Sequence, residues 1–234
     1  MKRTSLLIAL VLTAFSASAQ DIQLPAPQKN AEMTLYQALQ NRASNRSFSS
    51  APISDQILSD LLWAAQGINR EDGWLTAPTA MNTQEIRLYV CREDGAYEYI
   101  ARDNKLLKVS GKDLRADVAG PQAGVAAAPL FLVISCDLNR YSRKSDHTKV
   151  MGAVDVGYVS QNICLACVAL GLSTVPRAGM NQDVLRKELG IVEDQLLLIN
   201  HPVGYKKSSL RKRFSINILQ KTRSLISYAF SGNG

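Results

Sequence analysis

The sequence predicts an α+β domain. Helical and strand-like segments are mixed without the strict alternation that builds a parallel sheet. Three strand-like runs, Ile86–Cys91, Tyr97–Ala101 and Leu106–Val109, follow one another, and Asp94-Gly95 marks a hairpin turn between the first two. The longest helical stretch, residues 152–170, is nearly uncharged after Asp155, as a core helix should be. Hydrophobic residues make up 46% of the chain and charged ones 20%, which places it among ordinary globular proteins.

Residues 1–19 read as a cleavable signal peptide. Lys2 and Arg3 form the basic start, Leu6 to Phe15 the apolar centre, and Ala17-Ser18-Ala19 the small-residue cleavage site. The apolar run is too short to span a membrane. No Cys follows the cleavage site to carry a lipid anchor, and no twin-Arg pair precedes the apolar run. The mature chain is expected to start at Gln20 or Asp21, in a bacterial periplasm or outside the cell, with no stable membrane insertion. Residues 20–32 are a polar, Pro-rich arm. Residues 33–234 form one domain that ends in a basic extension.

Within that domain, Thr34-Leu-Tyr-Gln37 is a capping box that opens a short helix through about Gln40. Ser54 caps a second helix, with Ile53 and Leu58 as a hydrophobic staple and Ile57, Leu58, Leu61, Leu62 and Ala65 as its buried stripe. Gly67 ends it. Residues 68–84 lack periodicity and form a long loop, a length often tied to function. After the three strand-like runs, two short helical pieces cover about 112–127. Leu130–Ser135 is a continuous apolar run and reads as a buried strand. Gly171 closes the core helix, Asn181 caps a helix through about Leu189, and Gln195–Val203 is the last core strand.

The formal charge is +7 and unevenly spread. No acid follows Asp194, whereas Lys206, Lys207, Arg211, Lys212, Arg213, Lys221 and Arg223 all do. A basic tail suits nucleic acid or a phosphate-facing extension, and export argues against nucleic acid. Cys91 and Cys136 lie in apolar strands and read as small buried hydrophobes. Cys164 and Cys167 have redox-motif spacing, but inside an apolar helix rather than at a helix start. Two histidines without a Cys/His cluster support no metal site.

The chemistry sits in the loops. Arg42, Ser44 and Arg46 offer two planar donor forks and a short hydroxyl within five residues, a set suited to phosphate. Pro78, Thr79, Asn82 and Gln84 form a polar loop whose amides can both donate and accept. Taken alone, it is better read as a simple lead into a strand. Gln161 lies on the core helix, as a buried network residue or facing a ligand. Pro176 and Gly179 bound a stiff turn in which a backbone N–H can be approached closely; the turn also precedes a helix cap.

These pieces stand in an order that matters. Arg42-x-Ser44-x-Arg46, the Pro78–Gln84 loop, Gly157-x-x-x-Gln161-Asn162 with Ala169-Leu-Gly-Leu172, Val175-Pro176-x-x-Gly179, and Pro202-Val-Gly204-Tyr205 follow in sequence. On them the chain resembles the nitroreductase superfamily, particularly its exported branch near azoline dehydrogenase-like proteins, over about residues 33–205. The resemblance implies a central, mostly antiparallel sheet flanked by helices, and a homodimer with FMN sites at its interface. Arg42, Ser44 and Arg46 would then grip the phosphate and ribityl, with Lys206 and Arg211 completing that end. The loop carrying Pro78, Thr79, Asn82 and Gln84 would reach the flavin of the partner subunit, and Gln161 would face it. Pro176 would stiffen the turn that presents the Gly179 N–H to flavin N5. The acid that some members carry just before this glycine is missing here.

The activity so implied is FMN-dependent two-electron transfer, as hydride through flavin N5, to or from a small organic molecule. NAD(P)H is a transient donor at most, since no Gly-x-Gly-x-x-Gly fingerprint exists. The rival readings are a nicotinamide-independent dehydrogenase-oxidase, a non-enzymatic FMN-binding electron carrier, and a dimeric interaction module.

Overall fold

The computed structural model describes residues 20–207. The signal segment, Arg211 and the rest of the basic extension lie outside the described residues. Strand β1 (Ile22–Gln23) leads into helices α1 (Leu35–Asn41) and α2 (Asp55–Gln66). Strands β2 (Ile86–Arg92), β3 (Gly95–Ile100) and β4 (Lys105–Ser110) form a meander. Helix α3 (Arg115–Ala119), strand β5 (Leu130–Asp137) and helix α4 (Asp146–Ala169) follow, then β6 (Ser173–Thr174), α5 (Gln182–Glu188) and β7 (Gln195–Gly204).

The seven strands make one sheet in the order β1-β4-β3-β2-β5-β7-β6. Every pairing is antiparallel. β5 is buried on both faces, which is why it reads as an unbroken apolar run. On one face Leu88, Val90, Leu132, Ile134 and Val203 meet α2 and α4. On the other, Tyr89, Cys91, Phe131 and Val133 meet α3 and α5. Fully buried leucines such as Leu61, Leu62 and Leu132 each contribute about 1.5–3 kcal/mol of burial.

Most helix boundaries follow from their caps. Thr34 and Gln37 make the capping box as expected. Ser54 accepts from the Ile57 N–H, with Leu58 buried in the staple position. Gly67 is not the left-handed cap the sequence suggests, for its backbone is extended (φ −77°). Its lack of a side chain is a packing need, because a Cβ would lie 2.3 Å from the Trp63 ring. α4 starts six residues earlier than its apolar periodicity implies, fixed by a second capping box at Ser145 and Thr148. Asn181 stands at the N-cap of α5 but makes no cap bond; its amide donates to Asp117 instead.

The arm is better ordered than its composition implies. β1 pairs with β4, and Leu24 is buried. The Asp21 carboxylate accepts from the Lys108 backbone N–H and pairs with Lys105, which holds its pKa below the usual range. The Pro25 carbonyl accepts from Ser59 and Asn104. Each contact depends on a residue distant in sequence, so local composition carried no sign of it.

Candidate functional site

α1 ends at Arg42, whose φ of −59° and ψ of 120° turn the chain out of the helix. The loop that follows is tied down on two sides. The Asn45 N–H donates to the Thr174 carbonyl, and the Asn45 side chain closes onto the Ser47 carbonyl. Ser47 and Ser49 then exchange backbone bonds with Lys207 and Tyr205, and Phe48 bridges to Lys206. Arg42, Ser44, Arg46 and Lys206 are thereby exposed on neighbouring segments at one end of the sheet. None of the ion pairs among the described residues involves Arg42, Arg46 or Lys206. A knot of cations without a carboxylate partner favours an anion.

The Pro176–Gly179 turn lies beside this knot. Arg177 is buried and organises it. Its guanidinium donates to Gln122, Asn200, and the carbonyls of Val118, Ala119 and Gly179. Its backbone pairs with that of Asn200, whose amide also donates to the Gly179 carbonyl. Burial, and then the charge of Arg46, hold the Arg177 pKa below its ordinary value. Arg177 thus caps the end of α3 and fixes the Gly179 carbonyl, a role that sequence reasoning missed. The Gly179 N–H donates to no acceptor among the described residues. A Cβ at Gly179 would meet nothing nearer than the Arg177 Nη2 at 3.9 Å, and its φ is not left-handed. The chain's own packing does not require glycine there, whereas a close-lying planar ligand would.

The Pro78–Gln84 loop is built elsewhere, at the other end of β5. It is strained: Met81, Asn82 and Gln84 have φ of 56°, 52° and 49°. Such clusters of left-handed non-glycine residues occur where a loop is held for a purpose. The hold is a pair of buried carboxyls, Glu85 at 0% and Asp155 at 4% exposure. Asp155 accepts from the Ala80 N–H at 2.8 Å. Glu85 meets the Thr83 hydroxyl at 2.6 Å and the Tyr141 hydroxyl at 3.1 Å. No cation pairs with either carboxyl among the described residues. Burial, and then the neighbouring Glu85, push the Asp155 pKa up to about 6 against the opposing Ala80 bond. Thr79 is committed to the loop, since its hydroxyl accepts the Gln84 N–H. The Gln84 amide donates to the Gly73 carbonyl and to Asn82, leaving its own carbonyl oxygen to a ligand.

Within one chain, then, the structure gathers Arg42, Ser44, Arg46, Lys206, Pro176 and Gly179, and keeps Pro78, Thr79, Asn82 and Gln84 apart from them. Gln161 is exposed on the outer face of α4. Its neighbour Ser160 belongs to a buried chain in which His201 bridges the hydroxyls of Ser160 and Thr174 at 2.9 and 3.1 Å. Burial pulls the His201 pKa down to about 3, so this imidazole is neutral and structural. The four cysteines are buried free thiols, and burial raises each pKa, so none has thiolate character.

Known proteins resemble this chain over most of its length. The Nitroreductase family profile matches residues 39–205. A Methanocaldococcus jannaschii protein named as a nitroreductase is 32% identical over 196 residues, spanning 80% of this chain and 96% of its own. The Bacillus subtilis FMN reductase [NAD(P)H] is 25% identical over 155 residues, and the chain spans 53% of its length. A crystal structure from Ralstonia eutropha, also named as a nitroreductase, superposes with a TM-score of 0.77 at 31% identity, over 82% of this chain and 92% of that one.

Proposed function

Since the chain belongs to the nitroreductase family, we propose that it is an FMN-dependent oxidoreductase acting on a small organic molecule. The carrying observation is the knot of Arg42, Arg46 and Lys206, which pair with no carboxylate among the described residues, beside a glycine turn with room for a side chain. The residues fit the group. Arg42 and Arg46 would hold its phosphate by charge-assisted bonds, with Ser44 adding a hydroxyl and Lys206 a point charge. The Gly179 N–H would meet the polar centre of the ring, its direction set by Arg177 and Asn200 through the Gly179 carbonyl. Asn82 and the Gln84 carbonyl would meet the ring's pyrimidine edge. When bound, FMN supplies two-electron transfer, and the protein supplies position and a directed dipole. NAD(P)H is a possible donor in view of the named relatives, bound transiently over the ring. No side chain need act as a nucleophile.

The site is shared between two copies of the chain. The Pro78 loop touches α4 at Asp155, whereas Arg42 lies by Cys164, so the two points stand roughly 14 Å apart along the helix at 1.5 Å per residue. A partner related by a two-fold axis would bring its loop to this chain's cation knot. Export by the signal segment places the enzyme in the periplasm or outside the cell, with FMN acquired there. The test is the absorption spectrum of the purified mature protein, followed by equilibrium dialysis against FMN. About one flavin per subunit is expected, and absence of binding at micromolar protein overturns the reading.

A further inference from the structure

A cavity of about 420 Å³ opens beside Asn82, with Pro78 and Thr79 as one wall and Arg70, Trp74 and Leu75 as another. That second wall is a built turn. Ile68 bridges Leu75, the Asn69 N–H donates to the Trp74 carbonyl, and the Thr76 N–H to that of Gly67. The Trp74 N–H donates to the Asp72 carboxylate. The Gln84 amide reaches the Gly73 carbonyl at 3.2 Å, joining this turn to the strained loop as one unit.

The chemistry of the wall is specific. Trp74 is 45% exposed, an uncommon position for the largest apolar side chain. The Arg70 guanidinium stacks over its ring at 5.0 Å. The Arg70 Nε donates to Asn69, and its other nitrogens pair with no carboxylate among the described residues. Among the described residues Arg70 is the one charged residue lining the cavity; Glu71 and Asp72 of the same turn do not line it. The volume falls within the range of small-ligand sites.

We propose that this cavity is a substrate subsite for a planar aromatic carboxylate, whose ring stacks on Trp74 while its charge pairs with Arg70. The assignment of that ligand as substrate rests on the flavin reading above, because the cavity opens next to the Asn82 loop assigned to the flavin edge.

The probe is 2-naphthoate against its neutral isostere 2-naphthamide, both inert to reduction, titrated calorimetrically into the FMN-loaded mature protein. The acid is expected to bind about tenfold more tightly, the scale of a charge-assisted bond. Arg70→Gln should make the two ligands equal, and Trp74→Ala should weaken both. Equal affinities in the unmodified protein, or an acid preference that survives Arg70→Gln, overturn the subsite. The preference should also shrink as salt rises, which reads the same interaction without a variant. The flavin absorbance of each sample separates the two readings. Flavin retained without acid preference removes the subsite alone. Acid preference in a protein that takes up no FMN removes the oxidoreductase reading and the substrate assignment with it.

Discussion

Arg42, Arg46 and Arg177 sit close together and do different work. The first two are exposed and pair with no carboxylate among the described residues, so replacing them should remove ligand contacts and little else. Arg42→Ala and Arg46→Ala should each weaken FMN binding by about 1.5–3 kcal/mol, the scale of a hydrogen bond to a charged group, with little change in melting temperature. Arg177 is buried and donates to five acceptors, three of them backbone carbonyls. Arg177→Ala removes all five bonds, with Asn200 still reaching the Gly179 carbonyl, and should lower the melting temperature sharply. Equal melting of the three variants would refute the distinction. Gly179 gives a sharper contrast. Because a Cβ finds open space and φ is not left-handed, Gly179→Val should change stability by about 0.5 kcal/mol or less, as at an ordinary surface site. Flavin binding, or its rate of reduction by a chemical donor, should nevertheless fall strongly. A normal reduction rate in a folded, loaded variant would remove Gly179 from the site.

The strained loop and the core helix meet at the Asp155–Glu85 pair, and the titration of Asp155 has a defined sign. Asp155 is raised from 3.8 to about 6, so between those values the folded chain keeps a proton that the unfolded chain has lost. Its contribution to stability is full below about pH 4 and is lost as pH rises through 6. His201 is lowered from 6.5 to about 3, so its contribution is present above 6.5 and is lost on acidification. The two trends oppose each other between about pH 4 and 6. Asp155→Asn retains an acceptor for the Ala80 N–H and carries no charge. It should raise stability at pH 7 to 8 and expose a steeper loss below pH 6; an unchanged pH profile would contradict the shared burial of these groups. Neither Asp155 nor His201 stood out in the sequence, since their partners Glu85 and Thr174 lie far along the chain and only the fold joins them. Elements announced by local chemistry were legible: the Thr34 capping box, the Ser54 cap, the β5 run, the meander, the Arg42–Arg46 loop and the glycine turn. The start of α4 was hidden because its first turns are polar, and β1 because a two-residue edge strand has no periodicity.

At the scale of the whole molecule, α4 presents a second apolar face that the described residues of one chain leave uncovered. Its inner face buries Val156, Val159, Ile163 and Cys167, while Val150, Val154 and Tyr158 stay 56%, 42% and 46% exposed. Between them, a Cβ at Gly157 would meet no described residue beyond its own helix turn within 4 Å. Leu35, Tyr36 and Leu39 of α1, a helix that packs on α4, and Met81 of the strained loop are further exposed apolar side chains. A second copy crossing α4 near Tyr158, between the Asp155 and Cys164 contacts, would cover this face. It would also lay its own Asn82 loop against the first chain's Arg42 loop. The prediction concerns Val154→Glu, a substitution at an exposed site that should leave the isolated fold intact. In the proposed dimer it would bury an unpaired carboxylate, which costs about 3–5 kcal/mol. Light scattering should therefore show monomer, and flavin absorbance should fall in step, because each half-site then lacks the partner's loop. A dimer that dissociates while keeping its flavin would show that one chain holds the cofactor alone, with α4 serving association only.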